Sequence, residues 1–178
     1  MYINTKYFDE NGNISGTIEF YYKDGKSYIK QEADGKLHYE IYSDNENKTL
    51  VSIMHLDKQI FINENYISKE ITEDNNEFLI SSKNNERYAH LGIYKYLGKE
   101  KVNGKECIKV SLTDNNIDSF NSDNYYIDIE KGYILKKESF RNEVLSYIIQ
   151  NEYIENIVND EILKVNINEY TDYEIIKQ

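Results

Sequence analysis

The sequence predicts a mostly β protein: a large, curved antiparallel sheet of about eleven strands, with one or two short helices on its concave face. Three observations carry this. Tight-turn dipeptides recur at short intervals, apolar and polar residues alternate with a period of two between them, and the composition favours strands. The 178 residues include 18 Tyr and no Pro or Trp. Tyrosine favours strands, and the lack of proline removes the residue that most often interrupts a ladder.

The segment YYKDGKSYIKQEADGKLHYEIY, residues 21–42, shows the pattern. Asp24-Gly25 and Asp34-Gly35 suit a two-residue hairpin turn, in which both central residues need positive φ. Between them lies one strand length. After the second, Leu37, Tyr39 and Ile41 alternate with His38, Glu40 and Tyr42, which gives a strand two distinct faces. Asn11-Gly12, Asn103-Gly104 and Lys131-Gly132 repeat the turn signal, and 44–47 and 57–58 are glycine-free turn candidates. Strands then fall at 2–8, 14–23, 26–32, 37–43, 49–55 and 59–63, and again at 92–102, 106–113, 124–130, 133–140 and 143–157. A short helix is expected within 75–85, around Phe78, Leu79 and Ile80. A long polar loop is expected at 114–123, and a helical turn over 160–164 followed by an extended piece. No proline-rich or Gly/Ser-rich linker divides the chain, so residues 1–178 read as one domain.

Net charge is −11, so nucleic acid and acidic membrane surfaces are poor partners, since both require a positive surface. A basic or neutral partner fits better. No apolar run approaches the roughly 18 residues of a membrane helix. The first residues, Met1 to Lys6, lack the apolar core of a signal peptide and read as a strand.

Catalytic chemistry finds no candidate. The lone cysteine, Cys107, lies in a strand pattern and reads as a packing residue. His38, His55 and His90 are scattered; the first two could meet across adjacent strands, but no third metal ligand is indicated. Asp114, Asn116, Asp118 and Asp123 resemble a calcium loop poorly, with Ser119 and Tyr125 where glycine and glutamate belong. No phosphate-binding glycine motif or nucleophile elbow occurs. The expectation is no catalytic residue, no cofactor and no metal. What remains is apolar strand surface, with Tyr125, Ile127, Ile129, Tyr147 and Ile149 as candidate lining of a cavity. The expected edge strand is the N-terminal one, with Tyr2, Ile3, Tyr7 and Phe8 available for strand addition, and 144–149 is expected near the other edge.

Three segments carry a resemblance. YKYLGKEKVNGKECIKVSL (94–112), YYIDIEKGYILKKESF (125–140) and YIIQNEYIENIVNDEIL (147–163) are similar to the second half of LolA-like proteins, the lipoprotein carriers and RseB-type sensors. The meander over 14–63 fits the same half-barrel less specifically. The resemblance implies a LolA-like half-barrel and a non-catalytic, extracytoplasmic binding role. Within the group, the Lys/Asn/Ile/Tyr-rich style resembles clostridial spore germination lipoproteins of the GerS type. That implies a protein partner such as the cortex amidase CwlD, with a homodimer by strand exchange as a further expectation. The alternative implied is a carrier or sensor of lipid or lipoprotein acyl chains. The sequence departs from the family in having no helix ahead of the first strand and no lipobox cysteine. The full-length form is expected to be membrane-anchored through a lipid outside this sequence, the alternative being a cytoplasmic protein.

Overall fold

A computed structural model describes residues 1–66, 92–114, 121–154 and 158–178. Strands make up 67% of them, so the mostly β class holds. Twelve strands form one hydrogen-bonded sheet: β1 (Tyr2–Phe8), β2 (Ile14–Lys23), β3 (Lys26–Ala33), β4 (Lys36–Asp44), β5 (Thr49–Met54), β6 (Gln59–Asn63), β7 (Gly92–Val102), β8 (Lys105–Asp114), β9 (Asn121–Asp128), β10 (Ile134–Arg141), β11 (Val144–Ile154) and β12 (Glu174–Lys177). Their order is β12-β6-β5-β4-β3-β2-β1-β11-β10-β9-β8-β7. This corrects the expected edges. β1, with Tyr2, Ile3, Tyr7 and Phe8, is an interior strand between β2 and β11, and β11 is interior too. Ile3 is 3% exposed, and the N-terminal ammonium donates to the Tyr22 carbonyl at 2.8 Å. A proline-free strand near a chain end looks like an edge, but only long-range pairing decides what flanks it.

The chain divides into two compact units. The first comprises residues 1–6, 15–69 and 152–178. Its strands are joined by the turns read from the sequence: Asp24-Gly25 has φ of 50° and 78°, and Asp34-Gly35 of 51° and 70°. The antiparallel registers align Tyr21, Tyr28, Tyr42, Val51 and Ile62 in one row across β2–β6. On the same face, Glu40, Ile53 and Ile60 align in the next. Val51, Ile53 and Ile60 are the core, and Val165, Ile167, Tyr170 and Tyr173 of the C-terminal segment pack over them. That segment begins with two short 3-10 turns, Asp160–Leu163 and Ile167–Glu169, where the sequence suggested a helical turn. Asn159 and Asn166 cap them, each side chain accepting from the backbone two residues on, a local bond that favours a single turn over a longer helix. The segment ends as β12, which pairs parallel with β6, the one parallel pairing among those defined. The helix expected within 75–85 lies outside the described residues, as do 115–120 of the expected polar loop.

The second unit comprises residues 7–14 and 70–151. β9 begins at Asn121, three residues earlier than the sequence indicated. The β10–β11 hairpin turns on Asn142 and Glu143, with φ of 50° and 66° and no glycine. A glutamate there carries the steric cost of the left-handed region. Glu143→Gly is expected to raise stability by about 0.5–1 kcal/mol, read from the urea midpoint.

Cys107 is fully buried, opposite Asp128 and Glu100 on the flanking strands. Burial pushes its thiol above the usual range, which disfavours thiolate. The native protein is expected to resist thiol reagents. Cys107→Ser is expected to cost about 1 kcal/mol and leave binding within a few-fold, measured by chemical unfolding and titration.

Candidate functional site

Two features stand out, one in each unit. In the first unit, Glu40 is the hub of a buried acid–aromatic cluster. One carboxylate oxygen accepts from Tyr28 at 2.5 Å and Tyr42 at 3.1 Å. The other accepts from Tyr170 at 2.9 Å and meets His55 Nε2 at 2.9 Å. The second ring nitrogen of His55 meets the Tyr173 hydroxyl at 2.8 Å. Burial pushes the Glu40 carboxyl up, but hydrogen bonds from Tyr28, Tyr170, His55 and Tyr42 outweigh it and hold it below the usual carboxylate value. Burial and the nearby Glu40 charge push the Tyr42 phenol up to about 12. A row of rings runs on from the cluster: Tyr42 to Tyr28 at 4.5 Å, Tyr28 to Tyr21 at 5.7 Å, Tyr21 to Tyr2 at 4.6 Å. Chemically the cluster is closed. Both carboxylate oxygens and both ring nitrogens are occupied within the protein, so no group points at a site for a reacting molecule. Its task is to fasten the C-terminal segment to the sheet.

The second unit presents an aromatic and aliphatic sheet face. Its registers align Tyr96, Val110, Tyr125, Lys137 and Ile149 in one row across β7–β11. The next row holds Leu112, Asp123, Ser139 and Tyr147. None of these apolar side chains is buried: Tyr96 is 62% exposed and Tyr147 38%, and the others are intermediate. The two charges in the middle, Lys137 and Asp123, neutralise each other. Lys137 pairs with Asp123 at 3.0 Å and lies over the Tyr125 ring at 5.4 Å. Asp123 also accepts from Ser139 at 2.6 Å and Tyr125 at 3.1 Å. Burial pushes the Tyr125 phenol up to about 12.

The opposite face of these strands carries Lys109, Tyr126, Lys136 and Glu138 in contact with one another. Lys109 and Lys136 flank the buried Tyr126 ring at 4.8 and 4.9 Å, and Tyr126 donates to Glu138 at 2.7 Å. A cavity of about 330 Å³ lies between the β7–β8 and β9–β10 turns, lined by Gly104, Lys105, Glu106, Asp128, Ile129 and Glu130. Lys105 closes on Asp128 there at 3.5 Å.

Of the lining residues expected from sequence, Tyr125, Ile127, Tyr147 and Ile149 share the apolar face, because period-two alternation and the registers agree. Ile129 does not: it follows the end of β9, is 45% exposed, and donates its backbone N–H to Glu106. The turn breaks the alternation that placed it with Ile127. The Glu40 cluster was missed, although one signal was present: His38, Glu40 and Tyr42 alternate together. His38 and His55 do meet across adjacent strands, but through the backbone, with the His55 N–H donating to the His38 carbonyl at 2.9 Å.

No family model matches the chain, and no curated protein matches it. Solved structures do. The chain is similar to MucB of Pseudomonas aeruginosa in its complex with MucA, at 14% identity and a TM-score of 0.56, over 93% of this chain and 56% of that one. A separate MucB structure matches over 98% of this chain and 59% of that one, at 13% identity and a TM-score of 0.57. An uncharacterised conserved protein of Thermus thermophilus matches over 100% of this chain and 91% of that one, at 8% identity and a TM-score of 0.53. The chain thus spans under two thirds of the length of the MucB chains. At these identities the likeness is one of fold, and the fold is the one seen in MucB and in the Thermus thermophilus protein.

Proposed function

We propose that this chain is a non-catalytic, extracytoplasmic binding module that takes the apolar part of a protein partner onto an open sheet face. One observation carries the reading: a sheet face in the second unit is lined by Tyr96, Val110, Leu112, Tyr125, Tyr147 and Ile149, yet none of them is buried. The first unit repeats the arrangement on its own account, with Phe20, Ile29, Ile41 and Phe61 aligned across β2–β6 and all only partly covered. Burying an apolar face contributes about 25 cal/mol per Å², so such a face favours an apolar occupant. MucB, which shares the fold, has been solved with the protein MucA bound, which supports a protein over a small molecule. The finer form of the reading is a GerS-like regulator of a cortex amidase such as CwlD, and it rests on the sequence resemblance. An acyl chain suits the same face and is the alternative.

The test isolates the chain from its native envelope with whatever it holds, and compares it with a Val110→Asp/Tyr125→Asp variant. Mass spectrometry of bound protein and of an organic extract reads the occupant. A protein retained by the native chain and lost from the variant supports the proposal. Acyl lipid in the extract, without protein, turns the reading to a carrier. If both forms come out empty or equally loaded, the face is not the binding surface.

A further inference from the structure

We infer that β7 is a docking edge for an acidic, extended segment of another protein, which adds to the sheet as a further strand. The inference concerns the rim of the second unit and does not depend on what occupies the apolar faces.

Among the described residues, β7 ends the strand order and pairs only with β8. It is eleven residues long, which is long for an edge strand. Residues of both alternating faces are exposed, from Lys95 to Leu97 and from Lys99 to Lys101. Tyr96 is 62% exposed and Leu97 44%. Leu97 is the extra residue of a bulge between Tyr96 and Gly98, where Gly98 has φ of 124°. The bulge shifts the alternation, so that Tyr96, Lys99 and Lys101 stand on one face, opposite Val110, Ile108 and Glu106.

Charge selects the occupant. The chain carries −11 overall, yet this strand carries Lys95, Lys99 and Lys101 against one glutamate. Glu100 is already tied to Lys109 at 3.0 Å. Among the described residues none of the three lysines has an ion pair or a side-chain hydrogen bond. Edge lysines deter pairing with a second copy, because β7 against β7 would bring two sets of three lysines along one ladder. They attract a strand bearing carboxylates. The fitting segment offers an apolar side chain beside Tyr96 and acidic side chains beside Lys99 and Lys101, with backbone hydrogen bonds supplying the rest. At moderate salt, charges beyond about 10 Å are screened, so the local balance decides: Lys95, Lys99 and Lys101 with Lys109 stand against Glu100 and the cross-strand Glu106, which leaves this edge net positive.

The probes are acetylated, amidated peptides of about ten residues with isoleucine and glutamate at those positions, made in both chain directions. Controls carry lysine for glutamate, or N-methylated amides in one alternating phase or the other. Fluorescence anisotropy reads binding to the native chain and to Lys99→Glu/Lys101→Glu, whose fold is checked by circular dichroism. One acidic peptide is expected to bind, with affinity falling as salt rises. Charge reversal on either side is expected to weaken it at least about tenfold. One N-methyl phase should abolish binding and the other spare it, because alternate residues of a strand face the ladder. Absence of binding by both acidic peptides overturns the inference. So does binding that ignores the charge swaps and both N-methyl phases. A concentration-dependent dimer of the chain that the peptide competes away assigns the edge to a second copy and overturns the stated occupant.

Discussion

Glu40→Ala is expected to lower unfolding free energy by about 3–5 kcal/mol, the range for breaking a buried, hydrogen-bonded charge cluster. Glu40 is 7% exposed, and its removal leaves the Tyr28, Tyr42 and Tyr170 hydroxyls and a His55 ring nitrogen without their shared acceptor. Each such group inside the fold costs about 1–3 kcal/mol, reduced where a rotated hydroxyl reaches water. Glu40→Gln keeps the shape and one acceptor but turns a donor toward groups that donate, so about half the loss is expected. The pH dependence has a definite sign. The Glu40 carboxyl is held below its ordinary value in the folded state, so its contribution is present above the unfolded value near 4.3. It is lost as pH falls through the folded value. Urea unfolding across pH 3–7 should show wild type and Glu40→Gln converging at the acid end. Parallel curves would show that the charge of Glu40 is not what the cluster uses.

Ile60→Ala is expected to cost about 2–5 kcal/mol, with the upper half favoured here. Ile60 is fully buried, and its row neighbour Ile53 is too. The residues packed over them, Val165, Ile167, Tyr170 and Tyr173, belong to a segment held by β12 and by the Glu40 hydrogen bonds. A segment tied at several points collapses poorly into a void, so the cavity penalty stays high. Combining Ile60→Ala with Tyr170→Phe should cost less than the sum of the single changes, because each loosens the same cover. Strict additivity would mean that cover and core are independent.

Much of the fold was legible because it is local. Asp24-Gly25, Asp34-Gly35 and Asn103-Gly104 all take the positive φ that a two-residue hairpin needs. The alternation of Tyr39 and Ile41 against Glu40 and Tyr42 in β4 agrees with the registers, but a bulge at His38 moves Leu37 off the face of Tyr39. The registers align Tyr125 with Ile149 through Lys137, and Tyr147 with Asp123 through Ser139. What failed was decided over long range. β1 carries the local marks of an edge, because hairpin signals say which strands follow one another and not which strand closes against β1. Asn142-Glu143 forms a turn that no glycine marks in the sequence. Glu40 carries no mark among 32 carboxylates. Only the tyrosines beside it and the isoleucines in its row show that this polar-looking face is the covered one. The C-terminal segment lacks periodicity, so its role as the cover could not be read from its own residues.

The parallel pairing of β12 with β6 bears on the order of folding. Residues 174–177 meet residues 59–62, whereas the hairpins of β2 through β6 join neighbours a few residues apart. Closing so long a loop costs entropy that no local turn offsets, so this contact forms after the meander has assembled. The last strand then clasps a sheet that already exists. In pulse-labelled hydrogen exchange, the β12 amides should gain protection later than those of β3 and β4. In the native state they should be among the first of the first unit to open.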